Sequence, residues 1–158
     1  MMDERSFTEA LLQSEPMLYR IACPLLRQEE DRKDALQETA LRAWQSRGKL
    51  REEKYFKTWI TRILINVCHS IRRKNAKYVP ADNLPERPAP PERDSELRVM
   101  LEALPEKNRE ALVLYYLEGM SVKEIAAVLR VPAGTVKYRL HQARKALQVE
   151  LDEKEVRV

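Results

Sequence analysis

Glycine is scarce in this 158-residue chain, which has three, and so are aromatic rings, with two Phe, two Trp and six Tyr. Sandwiches and barrels need aromatic and turn residues at short regular intervals, so a sheet-rich fold is disfavoured and an all-α protein is expected. Cysteine is equally sparse. Cys23 and Cys68 stand alone, with no CxxC pair and no His cluster at ligand spacing, which argues against a disulfide framework and against zinc. Both are expected to pack as small hydrophobes. No apolar run approaches the roughly 20 residues of a membrane span, and the acidic start MMDERSFTEA is unlike a signal peptide. A cytoplasmic protein with no membrane insertion of its own is the expectation. A Ser-His-Asp order, a glycine-rich phosphate loop and paired acids near a cleft signal are all missing, so no catalytic residue, cofactor or metal is expected.

What is present suffices for one ordinary domain or two small helical ones, at 44% apolar and 34% charged residues. The net charge of +4 conceals blocks. Residues 46–79 hold ten basic and two acidic groups, and residues 121–147 hold six and one. The segments before, between and after them are net acidic. Two basic blocks separated by acidic sequence suggest two contacts with one polyanion.

Five of the nine prolines fall in PADNLPERPAPPERD, residues 80–94, which has no apolar periodicity and cannot continue a helix. It reads as an extended linker between two helical domains, or else as an ordered loop packed on one globule. Before it, helices are expected at about 4–13, 15–28 (kinked at Pro24), 31–46 and 55–75. After it, Asp94 or Ser95 suits the cap of a helix ELRVMLEAL, and Pro105 suits the first turn of EKNREALVLYYLE, which Gly119 ends.

Residues 121–147, SVKEIAAVLRVPAGTVKYRLHQARKAL, have the pattern of a helix-turn-helix. Ser121 and Glu124 form a capping box, and Ile125, Val128 and Leu129 give the first helix an apolar face. Arg130 to Pro132 supply the turn. Val136, Leu140, Ala143 and Leu147 then face inward on a second helix. Its outer side presents Lys137, Tyr138, His141 and Lys145, flanked by Gln142 and Arg144. Such groups reach base edges and phosphates in a major groove, and the amides at Gly134 and Thr135 suit a phosphate.

In YFKTWITRILINVCHSIRRK, residues 55–74, Phe56, Trp59, Ile60, Ile63, Leu64, Val67 and Ile71 fall within about 140° of one another, a core-facing stripe. Arg62, Asn66, His69 and Arg73 line the opposite flank at i, i+4, i+7, i+11. Alone, that flank reads first as a solvated basic face. On the helix at 31–46, Asp34, Glu38, Leu41 and Gln45 share the outer side, while Leu36, Ala40, Ala43 and Trp44 are expected to turn inward.

DALQETALRAW (34–44), YFKTWITRILIN (55–66) and LPEKNREALVLYYLEGMSVKEIAAVLRVPAGTVKYRLHQARKAL (104–147) resemble, in this order around a linker, the extracytoplasmic-function (ECF) sigma factors of bacterial RNA polymerase. The resemblance covers most of 17–74 and 97–149. It implies an alternative sigma factor with two small helical domains, a sigma-2-like bundle at 1–78 and a sigma-4-like helix-turn-helix domain at 96–158, joined by a Pro-rich linker at 79–95. It further implies core polymerase as partner, through its β′ clamp helices and β flap, with Asp34, Gln37, Glu38, Leu41 and Gln45 as the core-binding residues. For −10 promoter DNA it implies Leu50, Arg51, Lys54, Tyr55, Lys57, Thr58, Trp59, Arg62, Asn66, His69 and Arg73. Trp59 is either a stacking platform or part of the core. For −35 DNA it implies Gly134, Thr135, Lys137, Tyr138, Arg139, His141, Gln142, Arg144 and Lys145. An anti-sigma factor is an implied partner. The family usually has an aromatic where Ala40 and Leu50 stand and a non-proline residue at Pro24, and Glu52 and Glu53 bring negative charge to the base-pocket loop. A free-standing helix-turn-helix regulator would explain 121–147 but leave the basic block at 46–79 without work.

Overall fold

The computed structural model describes residues 2–78 and 95–156, and all regular structure among them is helical. The order is α1 (Glu4–Leu25), α2 (Glu29–Gln45), two short 3-10 turns at Arg47–Lys49 and Glu53–Tyr55, and α3 (Phe56–Tyr78). After these come α4 (Ser95–Glu102), α5 (Glu106–Tyr116), α6 (Val122–Leu129) and α7 (Ala133–Val156). The expected linker at 79–95 lies outside the described residues except for Ser95, which opens α4.

The two helices expected at 4–13 and 15–28 are one. Asp3 caps α1 by accepting from the Ser6 amide at 2.7 Å. The helix then runs through Pro16 without a break. A proline at residue 16 deprives the Leu12 carbonyl of its donor, but both residues are exposed, so the break falls on the solvent side of the helix. Pro24 lies in the last turn, and the helix ends one residue later.

Arg32 ties α1 to α2. It is buried, and its guanidinium donates to the Leu26 and Arg27 carbonyls at 2.8 and 3.1 Å, satisfying the connection between the helices. The inward line of α2 is Ala35, Thr39 and Ala43; Ala43 is expected from the sequence, while Ala35 and Thr39 take the places expected for Leu36 and Ala40. Leu36 and Ala40 are half-buried and Trp44 is 37% exposed. Small residues let α2 approach its neighbours closely. Trp44 is held instead at the edge, with the Arg47 guanidinium 3.9 Å from its ring centroid and the Phe7 ring at 6.0 Å.

Phe7 also meets Phe56 and Trp59, at 5.8 and 5.9 Å. Trp59 is half-buried and packs against Phe7 on the core-facing side of α3. Ile60, Leu64 and Val67 are buried as the stripe requires, but Thr61, Ile65 and Cys68 are buried as well. This second face packs on the C-terminal half, chiefly α6. Each fully buried aliphatic there contributes roughly 1.5–3 kcal/mol relative to exposure.

In that half, Arg109 donates to the carbonyls of Leu101, Glu102 and Leu104 at 2.8, 3.1 and 2.8 Å and so closes the C-terminus of α4. Gly119 takes φ 64°, and the Met120 amide folds back to the Leu114 carbonyl at 3.1 Å, which ends α5 where the glycine predicts. One buried apolar cluster runs from Phe7 and Ile21 through Leu64 and Ile65 to Leu114, Ile125 and Val136. The two halves thus share a core.

Candidate nucleic-acid interface

The acidic first turn of α2, Glu29 to Asp31, suits the positive end of the helix dipole. Farther along, Asp34, Gln37, Leu41 and Gln45 are exposed on one side, with Leu41 at 51%. Glu38 is half-buried and accepts from Arg42 at 3.0 Å. An unpartnered leucine between carboxylates and amides is a suitable centre for a basic helical partner.

The segment leading into α3 splits. Arg51, Lys54, Tyr55 and Lys57 are exposed and Thr58 is half-buried. Leu50, expected among the DNA contacts, is 5% exposed and belongs to the core. Its amide bonds to the Arg47 carbonyl, so it anchors the loop and presents no side chain to a base. Along α3 the polar line also divides: Asn66 and Arg73 are exposed, whereas Arg62 and His69 are half-buried against the C-terminal half. Arg62 donates to the Ala127 carbonyl, and His69 Nε2 lies 2.6 Å from Glu110 Oε2. Burial, with Arg130 nearby, lowers the Arg62 pKa from its ordinary value.

Sequence reasoning missed the partners of this line. Glu110 is 1% exposed, and Arg72 Nη2 lies 2.6 Å from both Glu110 Oε2 and Glu106 Oε1. A signal was available. Glu110 stands one turn before Val113 and Leu114 on the apolar side of α5, and a carboxylate there requires a buried cation.

The helix-turn-helix forms as expected. The Glu124 amide donates to Ser121 Oγ at 3.1 Å, and the Ser121 amide to Glu124 Oε1 at 3.0 Å. That bond lowers the Glu124 pKa. Arg130 makes the turn at φ 57°, in the left-handed region. The Pro132 carbonyl then accepts from the Thr135 and Val136 amides and starts α7. Val136, Leu140 and Ala143 are buried. Gly134, Lys137, Tyr138, His141, Arg144 and Lys145 are exposed, and Thr135, Arg139 and Gln142 half-buried. Arg144 Nε donates to the Tyr116 hydroxyl at 2.6 Å, which fixes one edge of this basic face.

This geometry matches known proteins over both halves. A family model described as Sigma-70 region 2 matches residues 11–78, and one described as Sigma-70, region 4 matches residues 94–147. The ECF RNA polymerase sigma factor SigM of Mycobacterium tuberculosis is 32% identical, covering 92% of this chain and 76% of that protein. The chain belongs to the ECF sigma factors. The RNA polymerase sigma-H factor of Pseudomonas aeruginosa is 27% identical over 92% of this chain and 86% of its own. Among solved structures, the sigma factor RpoE in complex with the anti-sigma factor NepR from Bartonella quintana superposes with a TM-score of 0.79 at 27% identity, covering 92% of this chain and 96% of its own. The protein is an alternative sigma factor that directs promoter recognition and transcription initiation, with RNA polymerase and promoter DNA as the partners its two sigma domains imply. No helix among the described residues is long and apolar enough to cross a membrane.

Proposed function

We propose a division of labour among three surfaces. The α2 face with Asp34, Gln37, Glu38, Leu41 and Gln45 docks on the β′ clamp helices of core polymerase. The −10 element is read by α3 and the turn before it, through Arg51, Lys54, Tyr55, Lys57, Thr58, Arg62, Asn66, His69 and Arg73, with Leu50 and Trp59 as packing support. The −35 element is read by α7 through Lys137, Tyr138, Arg139, His141, Gln142, Arg144 and Lys145, with the amides at Gly134 and Thr135 on phosphate, while the C-terminal domain meets the β flap. Residues 1–78 and 96–158 act as the two domains and 79–95 as their tether. The chain works by binding and performs no chemistry of its own.

The observation that carries this reading is the outer side of α7, where Lys137, His141 and Lys145 stand exposed on a helix held by the buried Val136, Leu140 and Ala143. The match to a sigma factor solved with an anti-sigma factor supports such a partner here too. The test is reconstitution. Purified chain added to core polymerase should permit initiation from a specific double-stranded promoter, with start sites mapped. Initiation no better than with core alone would favour a free-standing regulator.

A further inference from the structure

Four cationic or protonatable side chains of α3 cross to the C-terminal half, and each ends on an oxygen. Lys57 Nζ donates to the Glu118 carbonyl at 3.2 Å, and Arg62 to the Ala127 carbonyl. His69 and Arg72 meet Glu110, and Arg72 also meets Glu106. Positions 57 to 72 span about 22 Å of helix at 1.5 Å per residue. A row of acceptor oxygens along that length is what the phosphates of a nucleic-acid strand also offer.

We infer that Glu106 and Glu110 form an internal latch that stands in for DNA phosphate and, by holding the halves together, masks Arg62 and His69 of the promoter-reading line of α3 in the free chain, while Asn66 and Arg73 stay exposed. The inference rests on the assignment of that line to the −10 element. The carboxylate and imidazole atoms of His69, Glu106 and Glu110 lie within 4.8 Å of one another, a spacing that would also suit a metal ion. Arg72 already supplies the cation there, so the cluster is an ion-pair network. The 2%-exposed Glu110 side chain needs these partners, because an unpaired buried carboxylate is strongly unfavourable.

The closure is incomplete in one respect. Arg72 Nε is buried and has no acceptor. A buried donor without a partner is unfavourable, so the closed state carries a defect that opening relieves. Closure also leaves other surfaces free: Leu41 on α2 and the basic outer line of α7 remain exposed while Arg62 and His69 are engaged. Docking on polymerase through α2 therefore does not require opening, whereas base reading by α3 does. The latch sets an order in which the machinery is met first and the −10 strand second.

The test uses the full chain with both carboxylates neutralised, Glu106→Gln and Glu110→Gln. Glutamine keeps the size and one acceptor, so the helices are retained, which circular dichroism checks. A control, Glu9→Gln with Glu15→Gln, makes the same change in charge at exposed positions of α1. Binding of a fluorescein-labelled mixed-sequence DNA single strand is followed by anisotropy, and chain dimensions by small-angle scattering. The latch variant should bind about fivefold tighter or more, the low end of ordinary coupling between sites, and should be more extended. The control should match the native chain in dimensions and gain less in affinity. Unchanged dimensions, or equal affinity gains in both variants, overturn the latch. If the latch variant expands with no gain in strand binding, the latch stands as a structural clasp, and the assignment of the α3 line to DNA is what fails.

Discussion

Arg62 of α3 donates two hydrogen bonds to one oxygen, the Ala127 carbonyl of α6, from Nε at 3.1 Å and Nη2 at 2.6 Å. The Nε–Nη2 edge of a guanidinium, once spent on a backbone carbonyl, cannot make the bidentate contact it would otherwise offer a phosphate or base. If Arg62 reads the −10 element as proposed, domain packing and promoter reading compete for this residue. Arg62→Ala should therefore impair opening of the promoter by the assembled polymerase while leaving its affinity for core unchanged. Permanganate footprinting on a mapped promoter measures the first and a core-binding titration the second. Normal footprints would remove Arg62 from the −10 set.

Leu41 gives a test of the opposite kind, because it contributes nothing to the core. With half its surface exposed and its neighbours polar, Leu41→Glu should fold with native stability. At the centre of an interface, an apolar anchor commonly contributes more than 1 kcal/mol, so affinity for core polymerase should fall by about tenfold. A wild-type affinity would show that α2 docks elsewhere.

On α7, Lys137, His141 and Gln142 face outward without protein partners among the described contacts. Replacing each by alanine should weaken binding to the upstream element by about 1–3 kcal/mol where the residue meets a base edge, and relax preference at that position. Phosphate contacts behave differently. Losing one should weaken all sequences alike and flatten the dependence of log K on log salt by about one unit. Three alanine variants with native affinity and native preference would disqualify α7 as the recognition helix.

The contrast between these helices explains what could be read from the chain before its structure. The helix-turn-helix is local: Ser121 and Glu124 satisfy each other across three residues, Gly119 precedes the motif and Pro132 marks its turn, so spacing alone locates it. The core stripe of α3 is legible for the same reason, from periodicity. Its second buried face is not. Thr61, Ile65 and Cys68 are buried only because the C-terminal half lies against them, and nothing in the period of α3 reports on a partner some 50 residues away. Leu50 misleads for a related reason, since its neighbours in sequence are charged and exposed while its own contacts lie in the core. The length of α1 was hidden by Pro16, whose disruption is harmless only because that side faces water.

Cys68 and Cys23 differ enough to report on closure. Cys68 is 0% exposed at the seam between the halves, and burial pushes its thiol up to about 12. Arg72 partly offsets this, and Glu110 and Glu106 add to it. Cys23 is half-buried and lines a cleft of about 630 Å³ beside Arg20, Arg27 and Arg109. Because thiolate is the reactive form, a native sample at pH 8 should alkylate at Cys23 and spare Cys68, while both react in denaturant. The folded value for Cys68 lies above the unfolded one, so folding holds its proton more tightly. Its contribution to stability is complete below about pH 9, and is lost as pH rises from there toward 12. Urea midpoints should therefore fall more between pH 8 and alkaline pH in the native chain than in Cys68→Ala. Rapid labelling of Cys68 in the folded chain, mapped by mass spectrometry, would mean that the seam between the halves stands open in solution.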